Sequence, residues 1–205
     1  MRLPVLAAAA LIAAPALADP GEIALVAIGL PFAPETPVSV APAHALYHDV
    51  AVGEIAGLPP TIKSSGLNFI AAAKTSSVNI GLRETFARMN LLAGPERAAR
   101  KRLEVRWGGA RTPFHIGSSN TASVTLHYRL ARVDSGQVLF ERDITTSVHG
   151  GGADASMRDN GIVRAAIAAN FASAAWCIDK AAYGAAPADC ALTPTFEVSV
   201  VRERR

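Results

Sequence analysis

Residues 122–148, ASVTLHYRLARVDSGQVLFERDITTSV, decide the fold. Val124, Leu126, Tyr128 and Leu130 alternate with Thr125, His127 and Arg129, so a strand over 122–133 sets an apolar face against a polar one. Over 137–148, Val138, Phe140, Ile144 and Val148 oppose Glu141, Asp143 and Thr145 in the same way. Asp134-Ser135-Gly136 between them suits a short hairpin loop. Two adjoining strands, each apolar on one side only, predict a half-buried antiparallel sheet.

Working outward, His149–Gly152 reads as a glycine loop, and Ser156-Met157-Arg158-Asp159 resembles a capping box. A helix is expected from there to about Lys180, with Val163, Ile167, Phe171, Ala174 and Ile178 as its apolar stripe. A further strand is possible over Thr195–Val201. Upstream, RLEVRW at Arg102–Trp107 alternates like a strand, and Gly108-Gly109 is expected to end it. A helix is expected from Ser76 or Ser77 to about Ala93, through Val78, Leu82, Phe86 and Met89, with Gly94-Pro95 as its stop. Residues 65–74 read as a lead-in helix or an irregular stretch, and Tyr47–Ile55 as a first strand ended by Gly57-Leu58-Pro59-Pro60. The expected order is β-α-β-β-β-α with a possible last β. The fold class is therefore α+β: a two-layer domain with an antiparallel sheet of about four to five strands and two amphipathic helices on one face.

The N-terminus speaks to location. Residues 1–18, MRLPVLAAAALIAAPALA, have a basic Arg2, an apolar run and an Ala16-Leu17-Ala18 cleavage motif. They read as a secretory signal peptide cut between Ala18 and Asp19. Residues 19–44, with Pro34, Pro37 and Pro42, read as an extended segment, and 45–205 as one domain. No later run approaches the apolar length of a membrane span, so the cleaved product is expected to have no transmembrane span; an uncleaved signal would instead act as an anchor. No cysteine follows the cleavage motif, so lipid attachment at that point is not expected. The expected location is the periplasm.

Formal net charge is +3, too weak a balance to argue for nucleic acid. Basic clusters stand at Arg97–Arg102 and Arg202–Arg205, as solvated surface or as contacts for anionic headgroups or an acidic partner. The two cysteines, Cys177 and Cys190, read first as a disulfide in an exported chain, with two buried thiols as the alternative.

Chemical motifs are sparse. His149-Gly150-Gly151-Gly152 matches an oxyanion-loop pattern, but no G-x-S-x-G accompanies it, so it reads as a connector. His44 and His48 are four apart, yet Pro42 argues against the helix that would align them on a metal. Glu141 and Asp143 share a strand face two residues apart, as solvated positions do. No P-loop, dinucleotide fingerprint or calcium loop occurs. No catalytic residue, metal site or cofactor is expected. The loops over 107–120 and 149–155 are the candidate contact sites, with Trp107, Phe114, His115, His149 and Gly150 as their candidate residues.

The hairpin and the following helix, RDNGIVRAAIAANFASAAW with Arg158, Asn160, Arg164, Ala165 and Asn170, resemble a pattern of small Gram-negative envelope proteins. VNIGLRETFARMNLLA resembles their upstream helix through Leu82, Phe86 and Leu91 or Leu92. The relatives in question are uncharacterised periplasmic lipoproteins and transport-auxiliary and lipopolysaccharide-assembly lipoproteins, which the missing lipobox cysteine sets apart from this chain. The resemblance implies a non-catalytic binding or adaptor component of envelope biogenesis or transport, with an envelope protein or lipid as partner. Two rivals remain. One is a lipid carrier with a slot lined by Val78, Leu82, Phe86, Val163, Ile167 and Phe171; the other is a small hydrolase using His115 or His149.

Overall fold

The central hairpin of the sequence is the centre of the sheet. In the computed structural model, which describes residues 40–63, 71–96, 98–113, 115, 117–152, 154–182 and 195–199, it consists of β5 (Ser119–Arg132) and β6 (Val138–Gly151). The hairpin closes through Gly136, whose φ of 69° lies in the left-handed region that glycine tolerates. Before it come β1 (Val50–Ala56), β2 (Thr61–Lys63), β3 (Ala71–Lys74), helix α1 (Thr75–Arg88) and β4 (Lys101–Arg111). After it come helix α2 (Ala155–Ala182) and β7 (Thr195–Ser199).

The main sheet has the order β1-β4-β5-β6-β7, and β2 and β3 form a small antiparallel pair of their own. The fold is α+β as expected, but the sheet is mixed. The inner pairs β4-β5 and β5-β6 are antiparallel, whereas β1-β4 and β6-β7 are parallel. The physical reason lies in the connections. A strand that returns through a helix lies parallel to the strand it left, and each outer pair here spans one helix.

Both stripes read from the sequence are core. Val78, Leu82 and Phe86 of α1 and Val163, Ile167, Phe171, Ala174 and Ile178 of α2 are buried in the same cluster as Val124, Leu126, Tyr128 and Leu130 of β5. Each such large side chain contributes about 1.5–3 kcal/mol on leaving water. The six side chains proposed to line a lipid slot thus belong to this cluster.

Several boundaries differ from expectation. α1 ends at Arg88, before Gly94-Pro95, because Asn90 turns the chain at φ 57° and the Leu91 N–H bonds back to the Phe86 carbonyl. That frees Leu91–Ala93 to run beside β1, where the Ala93 N–H bonds the Val50 carbonyl. Part of the 65–74 stretch is strand β3, paired with β2. Gly108-Gly109 does not end β4; the register shifts between Trp107 and Gly109, and the strand runs on to Arg111. α2 is capped by Asp154, whose Oδ1 accepts the Met157 N–H at 3.0 Å, and Asp159 is used elsewhere.

α2 also corrects the reading that no later run approaches a membrane span. By length and composition it would serve, with a mean hydropathy of 1.4 over its best window, but most of that window is buried within the fold.

Candidate functional site

Helices cover one face of the sheet; the other carries a ladder of polar pairs across β5 and β6. Thr121 Oγ1 lies 3.0 Å from His149 Nδ1, Ser123 Oγ 2.8 Å from Ser147 Oγ, and Thr125 Oγ1 2.8 Å from Thr145 Oγ1. Next in line, His127 sits between Asp143 at 2.8 Å and Glu141 at 3.3 Å, and Arg129 donates to Glu104 at 3.0 Å. The ladder follows from sequence alternation: every second residue of both strands is polar, and antiparallel register sets each beside its counterpart.

At one end of this face β4 bulges. A Cβ on Gly108 would stand 2.9 Å from the Thr125 carbonyl oxygen, and Gly109 has a φ of 134°. Gly108 is therefore required by the close approach to Thr125 and Gly109 by its backbone conformation. The bulge borders a groove of ≈ 850 Å³. Its floor is Thr121, Ser123, Thr125 and Thr145 of the ladder, and its wall runs from Gly108 to Pro113. Lys63 and Arg111 bring the charges that line it, and both are exposed. Thr112 contributes a buried hydroxyl with no hydrogen-bond partner among the described residues.

Behind the groove the chain after β4 is tied to α2. Arg158 and Asp159 are buried, and Arg158 Nε donates to Asp159 Oδ1 at 2.8 Å. The other arms of Arg158 donate to the carbonyls of Gly117 and His115. Asn120 Nδ2 donates to the Pro113 carbonyl at 2.9 Å and to Asp159 Oδ1 at 3.2 Å.

The candidate contact residues are dispersed around these features. Trp107 lies in β4, in register with Leu126, and packs on the core rather than standing in a loop. His149 and Gly150 belong to β6, not to a flexible loop; they pair with Thr121 and Asn120 on one side and with Glu197 and Val198 on the other. The glycines fit a strand enclosed between two neighbours. The His115 carbonyl serves the Arg158 anchor. Phe114, Ala18, Asp19 and Cys190 lie outside the described residues; Cys177 is buried in α2. Sequence reading missed Asn120, and it took Arg158 and Asp159 for part of a capping box rather than for a buried anchor. The signal that could have found them was charge and amide at the start of an otherwise apolar helix and strand.

The histidines do not form an oriented nucleophile–base pair. His149 is one rung of a repeating ladder, and His127 is held by carboxylates at its exposed end. His44 accepts the Leu46 N–H on Nδ1 and faces Asp179 Oδ1 at 2.9 Å through Nε2, fastening residues 40–48 to α2. His48 Nδ1 lies 2.9 Å from the Leu92 carbonyl oxygen, so it does not join His44 on a metal. Among the described residues no group of three or more metal-ligating side chains occurs. Nothing in this geometry points to catalysis.

Part of the basic cluster is spent within the fold. Asp49 is buried, and its carboxylate accepts from the Arg100 backbone N–H and Nε and from Lys101 Nζ. Burial alone would raise its pKa, but the hydrogen bonds from Arg100 and Lys101 outweigh it and hold it at about 2.

No family model matches the sequence, and no curated protein matches it. Solved structures do. A Xanthomonas campestris protein of family DUF330 is 14% identical over 69% of this chain and 90% of its own, with a TM-score of 0.53. A candidate lipoprotein of Caulobacter crescentus is 11% identical over 68% and 95%, at 0.45. A minor lipoprotein of Acinetobacter baumannii is 11% identical over 65% and 93%, at 0.41. At these identities the likeness to the Xanthomonas protein shows a shared fold.

Proposed function

We propose that this chain is an exported, periplasmic, non-catalytic binding component of a Gram-negative envelope, acting through the open face of its sheet. The observation that carries the reading is the polar ladder of β5 and β6 ending in the groove at the β4 bulge. Binding groups fixed on strands are held in place before a partner arrives, which lowers the ordering cost of association. The core packing of Val78, Leu82, Phe86, Val163, Ile167 and Phe171 supports this reading over a lipid slot. The strand position of His149 supports it over a hydrolase. Export rests on the 1–18 signal pattern, with cleavage between Ala18 and Asp19. A Cys177–Cys190 bridge then fastens the end of α2 to the segment leading to β7.

Two measurements test this. Intact mass of the protein from osmotic-shock fluid is expected to match a chain starting at Asp19, with one disulfide that shifts mobility on reduction. A full-length chain retained in the cytosol, or full thiol labelling without reductant, overturns the respective part. Photo-crosslinking residues placed at Thr125 or Thr145 are expected to give a specific adduct in envelope preparations. Placement at the exposed Ile80 of α1 or Met157 of α2 is expected to give none. Adducts that do not depend on position sink the open-face reading.

A further inference from the structure

The groove at the β4 bulge has a lining chemistry that specifies more than a generic surface. We propose that it is a binding site for a phosphorylated saccharide, a phosphate group carried on a polyhydroxyl ring. This deepens the open-face reading and rests on it.

Two features select this class. The charged residues in the lining, Lys63 and Arg111, are both cationic, and among the described residues no carboxylate joins them. An anion in the groove meets attraction without a repelling partner, and an arginine fork with a lysine suits phosphate oxygens. The floor is hydroxyl: Thr121, Ser123, Thr125 and Thr145 offer groups that both donate and accept, as the hydroxyls of a sugar require.

Its size fits a small molecule. At ≈ 850 Å³ the groove falls within the range of small-molecule sites, about 300–1,000 Å³. Among the described residues no leucine, isoleucine, valine or aromatic side chain lines it. Gly108 lets β4 pass within contact distance of Thr125, and Gly109 carries the backbone turn at φ 134°. The site thus lies beside that bulge.

Titration calorimetry of the full-length mature protein with glucose 1-phosphate tests the assignment, with glucose and phosphatidylglycerol vesicles as parallel probes. Saturable binding of glucose 1-phosphate is expected, at least tenfold tighter than glucose. The double variant Lys63→Gln/Arg111→Gln is expected to weaken it at least tenfold with an unchanged melting temperature, since both side chains are exposed. Thr145→Val is expected to weaken it several-fold and to leave the salt dependence intact. Equal binding of glucose and glucose 1-phosphate, indifference to the double variant, or binding to vesicles alone overturns the assignment. A crosslinked protein partner at Thr125 with no sugar-phosphate binding would overturn this inference and leave the open-face reading standing. Loss of both would remove the two together.

Discussion

The Tyr128 hydroxyl of β5 donates to Asn170 Oδ1 of α2 at 2.7 Å, in the middle of the apolar layer between sheet and helix. Asn170 in turn donates through Nδ2 to the carbonyls of Val124 at 3.0 Å and Ile144 at 2.8 Å. One amide therefore bridges the two central strands and fixes how far along the sheet α2 sits. Burial pushes the Tyr128 phenol well above its usual range, so it remains a donor. Replacing Asn170 by Leu strands the hydroxyl and is expected to cost about 2–4 kcal/mol in urea unfolding. Tyr128→Phe is expected to cost about 1–3 kcal/mol, since it leaves the Asn170 oxygen unpaired. The double variant should cost less than the sum, and strict additivity would show that the two do not act as a pair.

The bulge in β4 predicts a contrast among glycines. Gly108→Ala drives a methyl against the Thr125 backbone, and Gly109→Ala strains a backbone at φ 134°. Each is expected to lower stability by about 1–3 kcal/mol. Gly94→Ala meets nothing within 4 Å and should be near neutral. Chemical denaturation of the three variants checks the order; equal midpoints would contradict the bulge.

Asp49 sets an acid limit. Its folded pKa of about 2 lies below the ordinary 3.8, so its contribution is present above pH 3.8 and is lost as the pH falls toward 2. By linkage that contribution is about 2 kcal/mol at neutral pH. Asp49→Asn is expected to be less stable at pH 6 and to show a flatter stability profile between pH 4 and 2. Parallel profiles for the two proteins would contradict this.

Arg158 fastens the chain after β4 from within. Arg158→Met leaves the buried Asp159 without its cation and is expected to cost about 3–5 kcal/mol. Hydrogen exchange should rise first at Gly117–Thr121, the stretch whose carbonyl and amide groups the Arg158–Asp159–Asn120 set holds. A uniform rise across the sheet would assign Arg158 to global stability alone.

The sheet's centre was legible because one face is dry and the other wet: Val124 to Leu130 and Phe140 to Val148 announce themselves by alternation. The two helical stripes were legible for the same reason at a different period. Glycine was the blind spot. Gly108-Gly109 and Gly150-Gly151 look like chain punctuation, and only the neighbouring backbone reveals that both pairs lie inside strands. Asn90, an ordinary residue in sequence, was the helix stop because it accepts the left-handed turn. The groove was illegible for a related reason. Lys63 and Arg111 are far apart in sequence, and the register shift at Gly108-Gly109 that borders the groove leaves no periodic signal.

α2 has a second life before the protein is folded. On the export route proposed above, a translocation channel would meet Ala155–Ala182 unfolded, long and apolar enough by length and composition to cross a membrane. Arg158, Asp159, Asn160, Asn170 and Asp179 interrupt it. The side chains that satisfy one another inside the finished fold are also those that a bilayer rejects. The polar groups that anchor this helix to its sheet can thus mark it as cargo to be passed through.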